Sequence, residues 1–217
     1  HIIFDGWSSG VLIRDLNKIY NSFIKGVEID LKEIEFQQYD YAHWEQGYVG
    51  TEQEQESKVY WEEKLKGCSS VLNFPYDFQR TNKASGRGDS ISMKLSPDLS
   101  KKLRHISNTE GASMFGTMLS VFGILMHKYS GDDDLNIGLP IAYRPHSKLE
   151  DIFGMFVNTV VVRLKYEEKL TFREIVFQTN DEALNAIAHQ DLPFEKVVEI
   201  VSPERSFNTN PLFQIAL

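Results

Sequence analysis

Hydrophobic and polar positions along the chain predict helices and strands in mixed order. From Trp7 to Lys25, apolar residues recur at the i, i+3, i+4, i+7 spacing of one helical face, and Gly26 is a stop signal. The short apolar run His1 to Phe4 before this helix predicts a strand. Residues 27–51 show no clear period. A charged helix is then predicted from Glu52 to Lys66, as a connector on the surface.

The second half of the chain alternates strand and helix patterns. Ser96 and Pro97 open a predicted helix, and the next one, Ser113 to Tyr129, is apolar on nearly every side and is expected to be central and buried. The other predicted elements are strands at Ser90–Leu95, Leu135–Ala142, Met155–Lys165 and near Leu212–Leu217, and helices at Thr171–Ala188 and after Pro193. This alternation around a common core predicts an α/β layered fold.

Composition and charge exclude several classes of protein. The 217 residues are 41% hydrophobic and 25% charged, which is ordinary for a globular chain, and no apolar run is long enough to span a bilayer. A formal net charge of -8 with dispersed basic residues argues against nucleic acid as a partner. A single cysteine, Cys68, favours a reducing cytoplasm over a disulfide-bonded setting. We therefore expect a soluble cytoplasmic protein.

The sharpest candidate site is His1-x-x-x-Asp5-Gly6, where a predicted strand runs into a helix. Histidine exchanges protons near neutral pH, Asp5 is spaced to brace the turn, and the helix N-terminus favours developing negative charge. Taken alone, the motif is more often structural than catalytic. A metal site would need a third ligand, and the sequence offers none nearby.

Other polar residues in apolar surroundings are weaker candidates. Asn158 and Thr159 lie at the centre of an apolar strand that continues to Arg163, so Asn158 is either a structural bridge or a group facing a channel. Cys68 has no base beside it in sequence and is interpreted as an inert thiol. No Gly-x-Ser-x-Gly elbow occurs, so an acyl transferase built on this chain would join two bound substrates directly.

Five short blocks follow one another along the chain. They are His-Ile-Ile-Phe-Asp-Gly-Trp-Ser at 1–8, Asp-Tyr-Ala-His-Trp at 40–44, Gly-Met-Phe-Val-Asn-Thr at 154–159 with Arg163, His-Gln-Asp-Leu-Pro-Phe-Glu at 189–195, and Arg-Ser-Phe-Asn-Thr-Asn-Pro-Leu at 205–212. In this order they resemble the condensation domain of nonribosomal peptide synthetases. The departures are a missing first histidine before His1, His43 in place of valine, Gln38 where tyrosine is expected, and a fifth block that agrees only at its ends.

The resemblance implies a chloramphenicol-acetyltransferase-like fold of two lobes. Residues 1–68 would be the end of the N-terminal lobe with the motif and a connector, and 69–217 an incomplete C-terminal lobe. It implies a catalytic set of His1, Asp5 and Gly6, with His1 as base, proton shuttle or electrostatic stabiliser, Asp5 chiefly structural and Gly6 near the oxyanion. The implied channel-lining or supporting residues are Trp7, Ser8, Asn158 and Arg163.

The implied reaction is condensation of an acyl or peptidyl thioester donor with an aminoacyl acceptor. Each substrate would arrive on the 4'-phosphopantetheine arm of a peptidyl carrier domain, next to an adenylation domain, with no tightly bound cofactor, metal, nucleic acid or membrane partner. The family's earlier blocks are absent from the chain. We therefore expect residues 1–217 alone to be inactive and the complete parent domain to be active.

Two other functions remain open. The chain could belong to a noncatalytic platform that docks carriers or tailoring enzymes, in which case His1→Ala would be tolerated. It could instead belong to a small-molecule acyltransferase that uses coenzyme A, which shares the HxxxDG motif and needs no carrier domain. Carrier sequences beside this one in the reading frame would count against the second alternative.

Overall fold

The computed structural model describes residues 3–69, 71–78, 86–202 and 209–217. The helices are α1 (Gly6–Lys25), α2 (Gln38–Gln46), α3 (Glu52–Leu65), α4 (Pro97–Thr109), α5 (Met114–Ser130), α6 (Phe172–Ala188) and α7 (Phe194–Val201), and the strands are β1 (Asp134–Ala142), β2 (Val157–Lys165) and β3 (Ile215–Ala216). A short 3-10 turn lies at Ser147–Leu149. The predicted mixture of helices and strands is confirmed.

Side-chain caps explain where four of the helices begin. Asp5, Ser96, Ser113 and Thr171 each accept a hydrogen bond from a backbone N–H in the first turn of α1, α4, α5 and α6, respectively. Such caps satisfy donors that have no partner inside the helix and stabilise it by about 1 kcal/mol. These helices begin within a residue of their predicted starts because the cap residues are visible in the sequence.

Contacts between residues divide the chain into two compact units. The first comprises residues 1–57 and 140–159, and the second comprises 58–139 and 160–217. The divisions therefore fall within α3, β1 and β2 instead of between elements. The predicted boundary between residues 68 and 69 concerns the lobes of a larger domain and stays a prediction.

An aromatic cluster forms the core of the first unit. The ring of Tyr41, in α2, lies 5.0 Å from that of Phe156 and 6.4 Å from that of Tyr143, and Ile152 and Leu149 pack around them. Helix α2 was not predicted, because Tyr41 is its only buried residue and one buried position produces no period. Aromatic packing holds this helix in place.

The second unit is built around a sheet. Among the described residues the strand order is β2-β1-β3, and β1 runs parallel to β3 with Ile137 opposite Ile215 and Gly138 opposite Ala216. Its fully buried side chains come from helices, strands and the loops that join them, namely Leu119, Leu135, Ile137, Val160, Val161, Val162, Val176, Leu192 and Leu212. Helix α3 also contributes Trp61 and Leu65, each 1% exposed, so it is not the surface connector that its charges suggested.

Helix α5 is buried on one side only, which corrects the prediction of a helix buried all round. The buried side is made mainly of small residues, and a Cβ at Gly116 would collide with the side chain of Asn180 in α6. The larger residues Met114, Phe115, Leu125 and Tyr129 are exposed. Helix α1 behaves similarly, since only Ser8 and Val11 are buried and most of the predicted apolar face is exposed.

Two predicted strands are not found among the described residues. Ile3 and Phe4 are not in a strand, and His1 and Ile2 lie outside the described residues. Ser90 to Leu95 forms no strand, and Ile91 is 97% exposed. Alternating residues form a strand only when a neighbouring edge pairs with them, and the described residues offer this segment none. The last strand, β3, is shorter than predicted.

No described helix is by itself long and apolar enough to cross a bilayer. Helices α4 and α5 meet that criterion only when taken together, with a bend of 106° between them.

Candidate active site

The turn that begins α1 is built on a buried carboxylate. Asp5 is 1% exposed and caps the helix, with the Ser8 N–H and hydroxyl lying 2.9 and 2.8 Å from its Oδ1. The Ser9 N–H donates to the Asp5 carbonyl at 3.2 Å. The predicted brace of the HxxxDG turn is therefore present as a helix cap.

Arg144 neutralises this carboxylate from the segment just after β1. Its Nη1 lies 3.0 Å from Asp5 Oδ2 and its Nη2 lies 3.2 Å from Oδ1, a bidentate pair in which both side chains are almost completely buried. The Phe156 N–H also donates to Oδ2, at 3.1 Å. The carboxylate therefore has hydrogen-bond donors from Ser8, Arg144 and Phe156 on both of its oxygens.

These contacts keep Asp5 ionised. Burial alone would raise the pKa of its carboxyl, but hydrogen bonds from Arg144, Ser8 and Phe156 outweigh burial and hold that pKa well below its usual range. A fixed anion with both oxygens occupied is a poor proton carrier. The geometry therefore suits Asp5 to holding the turn and leaves proton transfer to another group.

Aromatic rings enclose the Arg144 guanidinium. Its central carbon lies 4.4 Å from the ring centroid of Phe156 and 5.5 Å from that of Trp7, and its Nε donates to the Leu149 carbonyl at 3.0 Å. Cation–π contacts of this kind contribute most where water is excluded. Arg144 was not predicted from the sequence, although a buried Asp5 implies a cationic partner.

Ser8 joins the same turn to the segment before β2. Its hydroxyl lies 2.8 Å from the Gly154 carbonyl, accepts the Gly154 N–H at 3.0 Å, and accepts Arg144 Nη2 at 3.2 Å. Its single proton is within reach of both the Gly154 carbonyl and Asp5. Ser8 is 0% exposed, so solvent does not reach its hydroxyl.

Replacing Ser8 by alanine is expected to lower the free energy of unfolding by about 2–3 kcal/mol, because buried backbone groups of Gly154 lose their partner. Urea unfolding followed by tryptophan fluorescence measures the change. Ser9→Ala is the matched control, since the Ser9 hydroxyl makes only a 3.4 Å contact with the Asp5 carbonyl. Equal losses in the two variants would contradict the assignment.

The remaining motif residues surround this turn. His1 lies outside the described residues, so its predicted role stays a prediction. Gly6 is exposed at the first position of α1, and a Cβ there would meet no atom within 4 Å. Trp7 is 46% exposed, and its Nε1 donates to the Glu150 carbonyl at 2.8 Å. The first turn of α1 therefore presents an open surface beside the hydrogen-bonded side chains of Asp5, Ser8 and Arg144.

The two predicted supporting residues of β2 make contacts of their own. Asn158 is partly buried, and its Oδ1 accepts the Thr159 N–H at 2.8 Å. Arg163 belongs to the second unit, where Nε and Nη2 bind the carboxylate of Asp134. Its Nη1 donates to the carbonyls of Lys64 and Lys66 at the end of α3. These contacts make Arg163 a link between α3 and β1.

Within the part of the chain that the structure describes, no group of three His, Cys, Asp or Glu side chains could hold a metal ion.

The hydrogen-bonded frame of the candidate site consists of Asp5, Arg144, Ser8 and the segment 154–156. It can hold the backbone that follows His1 in one conformation.

Sequence comparison relates the whole chain to known synthetases. Residues 1–217 match the profile of the Condensation domain family. The chain is 40% identical over 215 residues to a linear gramicidin synthase of Brevibacillus parabrevis, and 36% identical over 216 residues to the phosphinothricin tripeptide synthetase of Streptomyces viridochromogenes. Those matches cover 99% and 100% of this chain but only 4% and 20% of the two relatives.

Solved structures agree with the sequence relatives. A four-domain nonribosomal peptide synthetase bound to AMP and glycine superposes with a TM-score of 0.87 at 30% identity, over 98% of this chain and 16% of that one. The X-domain from teicoplanin biosynthesis, whose complex with OxyB is also solved, gives 0.87 at 25% identity over 99% of this chain and 49% of that one. The predicted chloramphenicol-acetyltransferase-like α/β fold is confirmed by these neighbours, and the chain belongs to the condensation domain family.

Proposed function

We propose that this chain is part of a domain that forms amide bonds in nonribosomal peptide synthesis. The donor is an acyl or peptidyl thioester and the acceptor an aminoacyl thioester. Each is carried on the 4'-phosphopantetheine arm of a peptidyl carrier domain, next to an adenylation domain, in the cytoplasm. The observation that carries the proposal is the buried Asp5–Arg144 frame four residues after His1, in a chain that matches the family throughout.

The reaction needs a nucleophile, a leaving group and one proton transfer. The acceptor α-amine attacks the donor carbonyl and gives a tetrahedral oxyanion, which collapses with loss of the donor thiolate. His1 takes the proton from the amine nitrogen and gives it to the departing sulfur, so that the donor carrier leaves as a free thiol. Because an α-amine of pKa about 8 is already partly neutral at pH 7, orientation of the amine contributes alongside base strength.

The described residues support this reaction in two ways. Asp5, held by Arg144 and Ser8, fixes the backbone four residues after the histidine. Gly6 lies at the exposed N-terminus of α1, where the positive end of the helix dipole favours an oxyanion. Positioning of this kind contributes several kcal/mol to catalysis in known enzymes.

The proposal is tested with a module in which this chain stands within a complete condensation domain. Donor and acceptor carriers are loaded separately, and the mass of the acceptor carrier is followed by intact-protein mass spectrometry. The acceptor is expected to gain one acyl unit. A coenzyme A acyltransferase would instead use an acyl-coenzyme A donor and a free amine equally well without carriers.

A docking platform is the second candidate, favoured by the similarity to the teicoplanin X-domain that is solved in complex with OxyB. A platform would bind carriers or tailoring enzymes without extending the acceptor. His1→Ala would then leave binding and product formation by the assembly line unchanged.

Residues 1–217 on their own are expected to form no product from loaded carriers. The family's earlier sequence blocks are missing from the chain, and the part of the substrate channel that those blocks form is missing with them. The assay is the same mass measurement with the purified 217-residue chain. Extension of the acceptor by that chain would contradict the expectation.

A further inference from the structure

One peptide group connects the Asp5 turn to helix α2. Its N–H, on Phe156, donates to Asp5 Oδ2 at 3.1 Å, and its carbonyl, on Met155, accepts from Gln38 Nε2 at 3.0 Å. Gln38 is the first residue of α2, far from Asp5 in sequence. A single peptide plane therefore lies between the two side chains.

The geometry of a trans peptide makes this arrangement directional. In a trans peptide the C=O and N–H bonds point in opposite directions, and the described residues contain no cis peptide. Gln38 and Asp5 therefore lie on opposite sides of the Met155–Phe156 peptide. Each hydrogen bond fixes the rotation of the plane and polarises the group for the other bond.

Gly154 shows how closely Gln38 approaches this segment. A Cβ on Gly154 would lie 2.9 Å from both Cδ and Oε1 of Gln38, and 2.8 Å from the Phe156 ring. These distances are shorter than van der Waals contact. The amide of Gln38 therefore lies directly against the glycine backbone whose N–H and carbonyl meet Ser8.

We propose that Gln38 is a positioning residue, which holds the Met155–Phe156 peptide with its N–H toward Asp5. It acts through this peptide, and not by contact with a substrate. Without the Gln38 donor the peptide plane can rotate, and Asp5 then loses the hydrogen bond from the Phe156 N–H. The kinetic consequence rests on the proposed function, but the orientation of the peptide does not.

Hydrogen exchange tests the orientation independently of catalysis. In the module that contains this chain, Gln38→Ala is expected to lower the protection factor of the Phe156 amide about tenfold, the effect of losing one hydrogen bond. Gln46→Ala is the matched control, because Gln46 is the exposed last residue of the same helix. Unchanged protection of Phe156 in Gln38→Ala would overturn the proposal.

Gln38→Glu keeps the side-chain shape and makes the test reversible, which also covers a Gln38→Ala variant that folds poorly. At about pH 8 the carboxylate has no proton to donate and repels the Met155 carbonyl, so protection of Phe156 is expected to fall. Near pH 5 a growing fraction of the carboxyl is protonated and donates again, so protection should recover relative to wild type. A deficit independent of pH would contradict a donor role.

Steady-state kinetics separates positioning from substrate binding. Gln38→Ala is expected to lower kcat about fivefold to tenfold and to leave KM for the acceptor carrier unchanged, because the interaction acts on the catalytic turn. An unchanged kcat with lost protection would overturn the kinetic part. If wild type forms no product, the proposed function fails, and the exchange result still decides the role of Gln38.

Discussion

Replacing Arg144 by methionine is expected to lower the free energy of unfolding by about 3–5 kcal/mol, because it leaves the Asp5 carboxylate buried without its cation. Asp5 and Arg144 are nearly inaccessible to water, so solvent does not compensate for the loss. Urea unfolding measured by the fluorescence of the three tryptophans, two of which are Trp7 and Trp44, gives the difference. Both rings lie in the same compact unit as the ion pair.

The loss is expected to depend on pH. In wild type the folded-state pKa of Asp5 is depressed, so its contribution to stability is present above about pH 4 and is lost as the pH falls below that value. In the Arg144→Met variant the donors from Ser8 and Phe156 remain but the cation is gone, so the pKa of Asp5 is higher than in wild type. The difference between variant and wild type should therefore shrink as the pH falls through the Asp5 pKa of the variant, because that carboxyl takes up its proton before the wild-type one does.

Two further variants make the interpretation specific. Arg14→Met removes an exposed arginine that pairs with Asp15 and Asp151, and exposed pairs contribute about 0–1 kcal/mol. Asp5→Asn combined with Arg144→Met removes both charges and is expected to be more stable than Arg144→Met alone. Equal losses for Arg14→Met and Arg144→Met would show that burial of the Asp5 pair is unimportant.

His1→Ala is expected to lower the rate of acceptor extension by about 10²-fold to 10⁴-fold, the range for removal of a general acid–base group. The measurement is the single-turnover rate in the complete module with both carriers loaded. If His1 acts as the base, the low-pH limb of the wild-type rate profile, near pH 6.5, should disappear in the variant. A stabilising role would reduce the rate and keep that limb.

His43→Ala provides the matched control for this experiment. His43 is an exposed residue of α2, and its replacement removes the same side chain elsewhere in the chain. It is expected to leave the rate within about twofold of wild type, as for surface substitutions. A comparable loss in both variants would indicate a general effect of histidine removal.

Local signals explain why much of the secondary structure was predictable. Asp5, Ser96, Ser113 and Thr171 carry caps that lie within four residues of the N–H groups they satisfy. The sequence therefore contains both partners of each interaction in one short window. The contact of Asp5 with Ser8 lies in such a window too, although the spacing of the motif predicted only that Asp5 braces the turn.

Long-range partners were not predictable in the same way. Arg144 lies 139 residues from Asp5, and nothing near either residue identifies the other. Helix α2 has a single buried residue, Tyr41, and its position depends on rings from distant segments. The predicted strand at 90–95 failed for the converse reason, because its pattern is local but a strand requires a partner.

The most direct test of the proposed amide-forming activity is to identify the bond that the wild-type module forms. Donor and acceptor carriers are loaded, the reaction is stopped after one turnover, and the acceptor-bound product is released from its thioester with base. We predict an N-acylated amino acid whose mass equals that of the acceptor amino acid plus the donor acyl group minus one hydrogen, which leaves the amine and ends on the donor thiol. Release of only the unmodified acceptor amino acid, with the donor intact or hydrolysed, would contradict this prediction.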